Sequence, residues 1–232
     1  MTATPKTLTV TECHQLLDAL RFTRPRGIAY KKGLRNYAMA LLMLDAGLRV
    51  GEVVTLETSD LFYGRVPVEN LLIRPAIAKT KTERTVPLSE RVREALIALY
   101  NECPCISEFR PTEYIFTTGY HKKPLTTRQV ERIIRAAAIR SIGRPVHPHV
   151  LRHTFASRLM RKTNARVVQE LLGHKSITST QIYMSPNSDD LKKAIVDICE
   201  DPQERHLMTT DSSLDAHAAN GVKTGGTDKD HR

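Results

Sequence analysis

A mainly helical α+β fold with one small antiparallel sheet is the class this sequence predicts. Three observations point there. Apolar residues recur every three or four positions through most of the chain. One stretch alone, residues 70–88, switches to branched apolar runs around a charged centre. No internal repeat interrupts the order. The 232 residues are 41% hydrophobic and 26% charged, an ordinary globular composition and enough chain for one large domain or two small ones.

The elements follow in order. Residues 8–21 read as a short amphipathic helix, capped by Thr9 or Thr11, with Leu16, Leu17 and Leu20 as its apolar stripe. Residues 33–46 read as a stronger helix, with Tyr37, Leu41 and Leu44 at helical spacing and Gly47 as its stop. Residues 50–57 give another short helix. Residues 70–77 and 84–88 read as the strands of a hairpin whose tip is Lys79-Thr80-Lys81-Thr82-Glu83. Pro75 and Pro87 suit edge positions. Helices return at 89–101, 126–140, 149–162, 165–173, 176–184 and 188–199, with Pro145 and Pro148 marking the start at 149. The globular part spans 1–200. Residues 201–232, rich in Asp, Thr and Gly with few apolar residues, read as a disordered tail.

Charge is distributed unevenly. The formal net charge is +10. The tail from Asp201 holds four basic and six acidic residues, so the body carries +12. A basic body with a mildly acidic tail points to a polyanionic partner, most often nucleic acid. No apolar run is long enough to span a membrane. The first residues lack the apolar core of a signal peptide, so a cytoplasmic location is expected. The four cysteines, Cys13, Cys103, Cys105 and Cys199, do not form a disulfide framework. Only one residue separates Cys103 from Cys105, which is short for a zinc site.

Four segments carry candidate chemistry. In Ala46-Gly47-Leu48-Arg49-Val50-Gly51-Glu52, Arg49 stands at a helix start, where a cation and free N–H groups can meet an anion. Lys79 lies in the hairpin tip, where a lysine can reach a groove or give up a proton. In Pro148-His149-Val150-Leu151-Arg152-His153-Thr154-Phe155-Ala156, His149 and Arg152 are three apart and share a helical face. Leu151, Phe155 and Leu159 face the core. A guanidinium contacts two phosphate oxygens at once, and an imidazole moves protons near neutral pH. In Leu171-Leu172-Gly173-His174, His174 follows a helix-ending glycine, and Tyr183 comes nine residues later. Singly, each has a plain structural reading: a solvated charge, an exposed lysine, a tyrosine packed at a helix end.

Together, in this order and spacing, the blocks closely resemble the tyrosine recombinase (phage integrase) family. The resemblance runs from about Leu8 to Ile198. It implies the catalytic-domain fold of that family and a site built from Arg49, Lys79, His149, Arg152, His174 and Tyr183 around one phosphodiester. Lys81 is the alternative to Lys79, which is preferred because the family lysine sits nearer the first strand. Tyr183 would attack phosphorus, giving a 3′-phosphotyrosine link and a free 5′-hydroxyl. A 5′-hydroxyl of another strand would then attack in turn. The two arginines would stabilise the non-bridging oxygens. His149 would act as base, Lys79 as acid, and His174 would hydrogen-bond a non-bridging oxygen. No metal and no other cofactor is expected. His147, His149 and His153 lack an acidic ligand or the zinc-binding H-E-x-x-H pattern, and His153 reads as structural.

The implied partners are double-stranded DNA, a homotetramer on paired sites, and accessory DNA-binding proteins, with no membrane. The expected location is cytoplasmic and nucleoid-associated. Other readings are a type IB topoisomerase-like enzyme and a catalytically silent DNA-binding regulator. Most integrases carry an N-terminal helical core-binding domain. Here the resemblance begins almost at Met1, so the catalytic domain is expected alone, as in the fimbrial phase-variation recombinases or as part of a longer protein. The helix at 188–199 is expected to dock on a neighbouring protomer.

Overall fold

Helix α2, Ile28–Leu44, is the centre around which several other helices pack. Its residues from Ala38 to Leu44 are all buried, so this part is apolar on every side rather than along one stripe. α1 (Val10–Arg21) lies against α2 and α6 (Thr127–Ile142), while α5 (Glu90–Glu102) and α7 (Pro148–Met160) also contact α2. The structure, a computed structural model, describes residues 7–21, 27–78, 83–102, 113–118 and 123–173.

The helix ends follow local chemistry. Thr9 caps α1: its hydroxyl accepts from the Glu12 N–H (3.1 Å), and its own N–H donates to the Glu12 carboxylate (2.9 Å). Thr126 and Gln129 make the same reciprocal pair at α6. Pro148 opens α7 at a position where its missing N–H costs nothing. α2 begins at Ile28, five residues before the sequence expectation, and its first residues are largely exposed. A solvent-facing turn has no apolar stripe to announce it.

The segment after Arg49 also departs from expectation. α3 covers only Val50–Val54, and a separate turn, α4, covers Thr58–Leu61. Between them the chain is extended, because Leu56 and Thr58 bond to the backbone of 113–115: the Ile115 N–H reaches the Leu56 carbonyl (3.1 Å) and the Thr58 N–H reaches that of Glu113 (2.9 Å). A two-residue hairpin follows, β1 (Phe62–Tyr63) with β2 (Val66–Pro67). Gly64, at φ +61°, makes its turn. Among the described residues two small antiparallel sheets are therefore present where one was expected.

The second sheet is the expected hairpin with a shorter first strand, because residues 75–77, expected to continue it, form a turn closed by the Ile77 and Ala78 N–H groups on the Arg74 carbonyl. β3 (Asn70–Ile73) pairs with β4 (Arg84–Pro87), Ile73 opposite Arg84 and Asn70 opposite Pro87. Alternate residues face inward: Leu71 and Ile73 on β3, Arg84 and Val86 on β4. An arginine thus occupies a core-facing position. The final described helix, α8 (Ala165–Leu172), is capped by Asn164, packs on α7 and β4, and ends at Gly173 with φ +61°. Ala156, Val168 and Leu172 form a small apolar cluster with Phe155, Leu159 and Met160. Of the expected stripe on α7, Leu151 enters the main core, whereas Phe155 and Leu159 serve this second cluster. The expected helices at 176–184 and 188–199, and the tail, lie outside the described residues. Among those residues, no helix is long and apolar enough to cross a membrane.

Candidate active site

The turn after α2 brings two distant segments together. Gly47 has φ +64°, a left-handed conformation that glycine adopts without strain. Space demands glycine as well, because a Cβ here would meet two ring carbons of Phe155 at 2.4 and 2.5 Å. The Gly47 carbonyl accepts a hydrogen bond from Arg152 Nη1, and Arg152 Nη2 donates to the Leu172 carbonyl (2.7 Å). One buried guanidinium therefore ties the end of α2 to the end of α8.

Arg49 stands at the N-cap of α3. Its backbone N–H donates to Glu52 Oε2 (2.8 Å), and its Nη1 lies 3.1 Å from Glu52 Oε1. The Arg49 side chain is 22% exposed, whereas Glu52 is 1% exposed. Glu52 also receives both terminal nitrogens of Arg84, at 2.9 and 2.7 Å. Burial alone would push the Glu52 carboxyl up; the Arg84 hydrogen bonds and charge, the Arg49 N–H and the Arg152 charge outweigh it. The net shift is downward from the ordinary 4.5. Glu52 is therefore an ionised anchor among three arginines.

His149 and Arg152 occupy one face of α7, as their spacing requires. His149 is exposed and Arg152 is buried. His147 stacks on His149 with centroids 5.8 Å apart, and His153 meets it edge-on at 5.6 Å. His147 Nδ1 lies 2.8 Å from Glu131 Oε1. Burial, together with the nearby His149 and Arg152, pushes the His153 imidazole below its ordinary 6.5. One pair of rings is stacked and the other edge-on, and among the described residues no three His, Cys, Asp or Glu side chains group as metal ligands.

Arg49, His149 and Arg152 line one cleft of about 500 Å³, with Glu52 at its base and Gly51 and Ile77 beside it. Three of the six expected site residues thus meet in one place. Lys79 (with its alternative Lys81), His174 and Tyr183 lie outside the described residues. Sequence reading missed Arg84 and gave Glu52 no role. The signal was present: strand alternation puts Arg84 on the same face as Val86, a charge where an apolar residue belongs.

The profile of the phage integrase family matches residues 6–189. The chain belongs to the phage integrase family. Relatives within it include a protein named tyrosine recombinase XerC from Azotobacter vinelandii, 36% identical over 77% of this chain and 55% of the relative. XerC from Pediococcus pentosaceus is 33% identical over 69% of this chain and 53% of the relative. This integrase-family chain spans about half the length of the curated relatives it matches. Among solved structures, XerA recombinase aligns with a TM-score of 0.66 at 27% identity, covering 84% of this chain and 66% of that one. XerH site-specific recombinase, in a post-cleavage complex with its palindromic difH substrate, aligns with a TM-score of 0.60 at 26% identity. That match covers 83% of this chain and 53% of XerH. The mainly helical fold with small antiparallel sheets is that of the tyrosine recombinase catalytic domain.

Proposed function

We propose that this chain is the catalytic part of a site-specific recombinase that cuts and rejoins duplex DNA through a 3′-phosphotyrosine link. One observation carries the reading: Arg49, His149 and Arg152, from separate parts of the chain, line a single cleft. Two guanidinium groups and an imidazole suit one phosphodiester, and the motif resemblance supports Lys79, His174 and Tyr183 as the remaining groups.

The reaction balances without an external energy source. The Tyr183 hydroxyl passes its proton to His149 as its oxygen bonds to phosphorus. The bond to the 5′-oxygen breaks, and that oxygen takes a proton from Lys79. Arg49 and Arg152 stabilise charge on the non-bridging oxygens, and His174 hydrogen-bonds one of them. Preorganised cations serve this purpose well, because they need not reorient as charge builds. Attack by a 5′-hydroxyl then reverses the chemistry on a new strand. Four copies on two paired sites, with accessory DNA-binding proteins, are the expected assembly, acting on the cytoplasmic nucleoid.

A DNA substrate nicked beside the cleavage point traps the covalent stage, because the released fragment diffuses away. Wild-type protein should give a protein–DNA adduct that resists denaturation, and Tyr183→Phe should give none. An adduct of equal yield from Tyr183→Phe would remove Tyr183 as nucleophile; no adduct from wild type would remove the reaction. Relaxed plasmid without recombinant product on paired sites would point instead to a topoisomerase.

A further inference from the structure

Arg84 makes three directed contacts from an inward position on β4. Its Nη1 and Nη2 grip the two oxygens of Glu52 at 2.9 and 2.7 Å, and its Nε donates to the Leu171 carbonyl at 3.0 Å. Its side chain is 4% exposed. Gly173 leaves room for it, since a Cβ at that position would lie 3.0 Å from Arg84 Cδ. The last carbonyls of a helix have no partner within the helix. At the end of α8 two of them are taken by arginines: Leu171 by Arg84 and Leu172 by Arg152.

We propose that Arg84 is a positioning residue for the cleft, a role that rests on the recombinase reading above. Through Glu52 it fixes the seat of Arg49, whose backbone and side chain both bond that carboxylate. Through Leu171 it fixes the end of α8, one residue short of the glycine that precedes His174. Its strand follows directly on the segment that holds Lys79. One planar fork therefore links three of the four parts of the chain from which the candidate groups come: its own strand, the Arg49 segment through Glu52, and the end of α8 through Leu171. A point charge cannot replace it. Lysine offers one nitrogen and cannot span both Glu52 oxygens and the Leu171 carbonyl. Stability alone does not explain the arrangement, because a buried ion pair is commonly no more stabilising than a packed apolar pair.

The test compares wild type with Arg84→Lys, which keeps the buried charge balanced, and with Arg84→Gln. Binding to the nicked DNA is followed by protein titration, and its cleavage is timed at saturating protein. Arg84→Lys should bind DNA with wild-type half-saturation yet cleave about tenfold to 100-fold more slowly, the scale of a small misplacement of reacting groups. In an Arg49→Lys background the further loss should shrink, because Arg84 acts on the reaction in part by seating Arg49 through Glu52. Hydrogen exchange at the Gly173 amide should quicken in Arg84→Lys as the end of α8 loosens. Wild-type cleavage by Arg84→Lys, losses that multiply in full with Arg49→Lys, or unchanged exchange at Gly173 would each overturn the role. If Arg84→Gln fails to fold, Arg84→Lys still decides. A wild type that forms no adduct removes the recombinase reading and the positioning role together, whereas an active wild type with an equally active Arg84→Lys removes the role alone.

Discussion

The Gly47 carbonyl and the Arg152 guanidinium meet across 105 residues of sequence. Phe155, one turn further along α7, fills the space that a side chain at Gly47 would need. The turn, the cation and the aromatic ring therefore form one unit. Gly47→Ala should destabilise the fold by about 2 kcal/mol or more, from overpacking and a left-handed alanine together. It should also slow adduct formation, because the carbonyl that holds Arg152 moves. Urea denaturation and the nicked-substrate assay measure the two effects. An alanine variant with wild-type stability would contradict the close approach.

Glu52 should be the most costly single truncation at the base of the cleft. Glu52→Ala leaves Arg84 buried with its main counter-charge gone, a loss of about 3–5 kcal/mol by the measure of broken buried pairs. Its carboxyl is held below the ordinary 4.5. The stability it contributes is thus complete above that value and is lost as pH falls through the lower folded value. Wild type should lose stability in that acid range. Glu52→Gln should show a shallower slope there; equal slopes would mean that Glu52 is not the group responsible.

His153 acts in a different window. Its imidazole is held below 6.5 by burial first, then by His149 and Arg152. The folded state therefore binds fewer protons than the unfolded one as pH falls below that value. Stability should be full above it and decline as pH moves down toward the folded value. Urea midpoints at about pH 7.5 and about pH 5.5 should differ more for wild type than for His153→Gln. An unaltered difference would assign the slope to other groups.

Arg49 separates chemistry from folding. Its side chain is partly exposed and bonds only one oxygen of Glu52, which keeps Arg84 as its chief partner. Arg49→Lys should leave the melting midpoint within a degree or two and lower the adduct rate about 100- to 1,000-fold, the usual effect of losing one preorganised donor. DNA affinity should change little, because affinity rests on many phosphate contacts. A parallel loss of affinity and rate would place Arg49 in binding rather than in the reaction.

The helices were legible where they pack one face on the core. α1 and α6 match their expected spans within two residues, because burial writes itself into sequence at a spacing of three to four. The exposed start of α2 and the β1–β2 hairpin were not legible. The former has no apolar face, and the latter is two residues per strand, too short to show alternation. The site was half legible. His149 and Arg152 are three apart on one continuous helix, so local geometry sets their relation, whereas Arg49 stands at the N-cap of α3 and only packing brings it to them. Arg84 stands on a strand far from any of them, and nothing local marks its target.

By itself, the sequence determined which residue types sit on which face of each helix, and the family to which their order belongs. Those are properties of neighbours along the chain, fixed by backbone geometry. Only the tertiary structure decided that Glu52 holds Arg49 and Arg84 at once, and that two arginines share the end of α8. Such contacts depend on how separately formed elements pack. Their energies are settled by burial, where an unpaired charge is intolerable and a paired one becomes a fixed point for its surroundings.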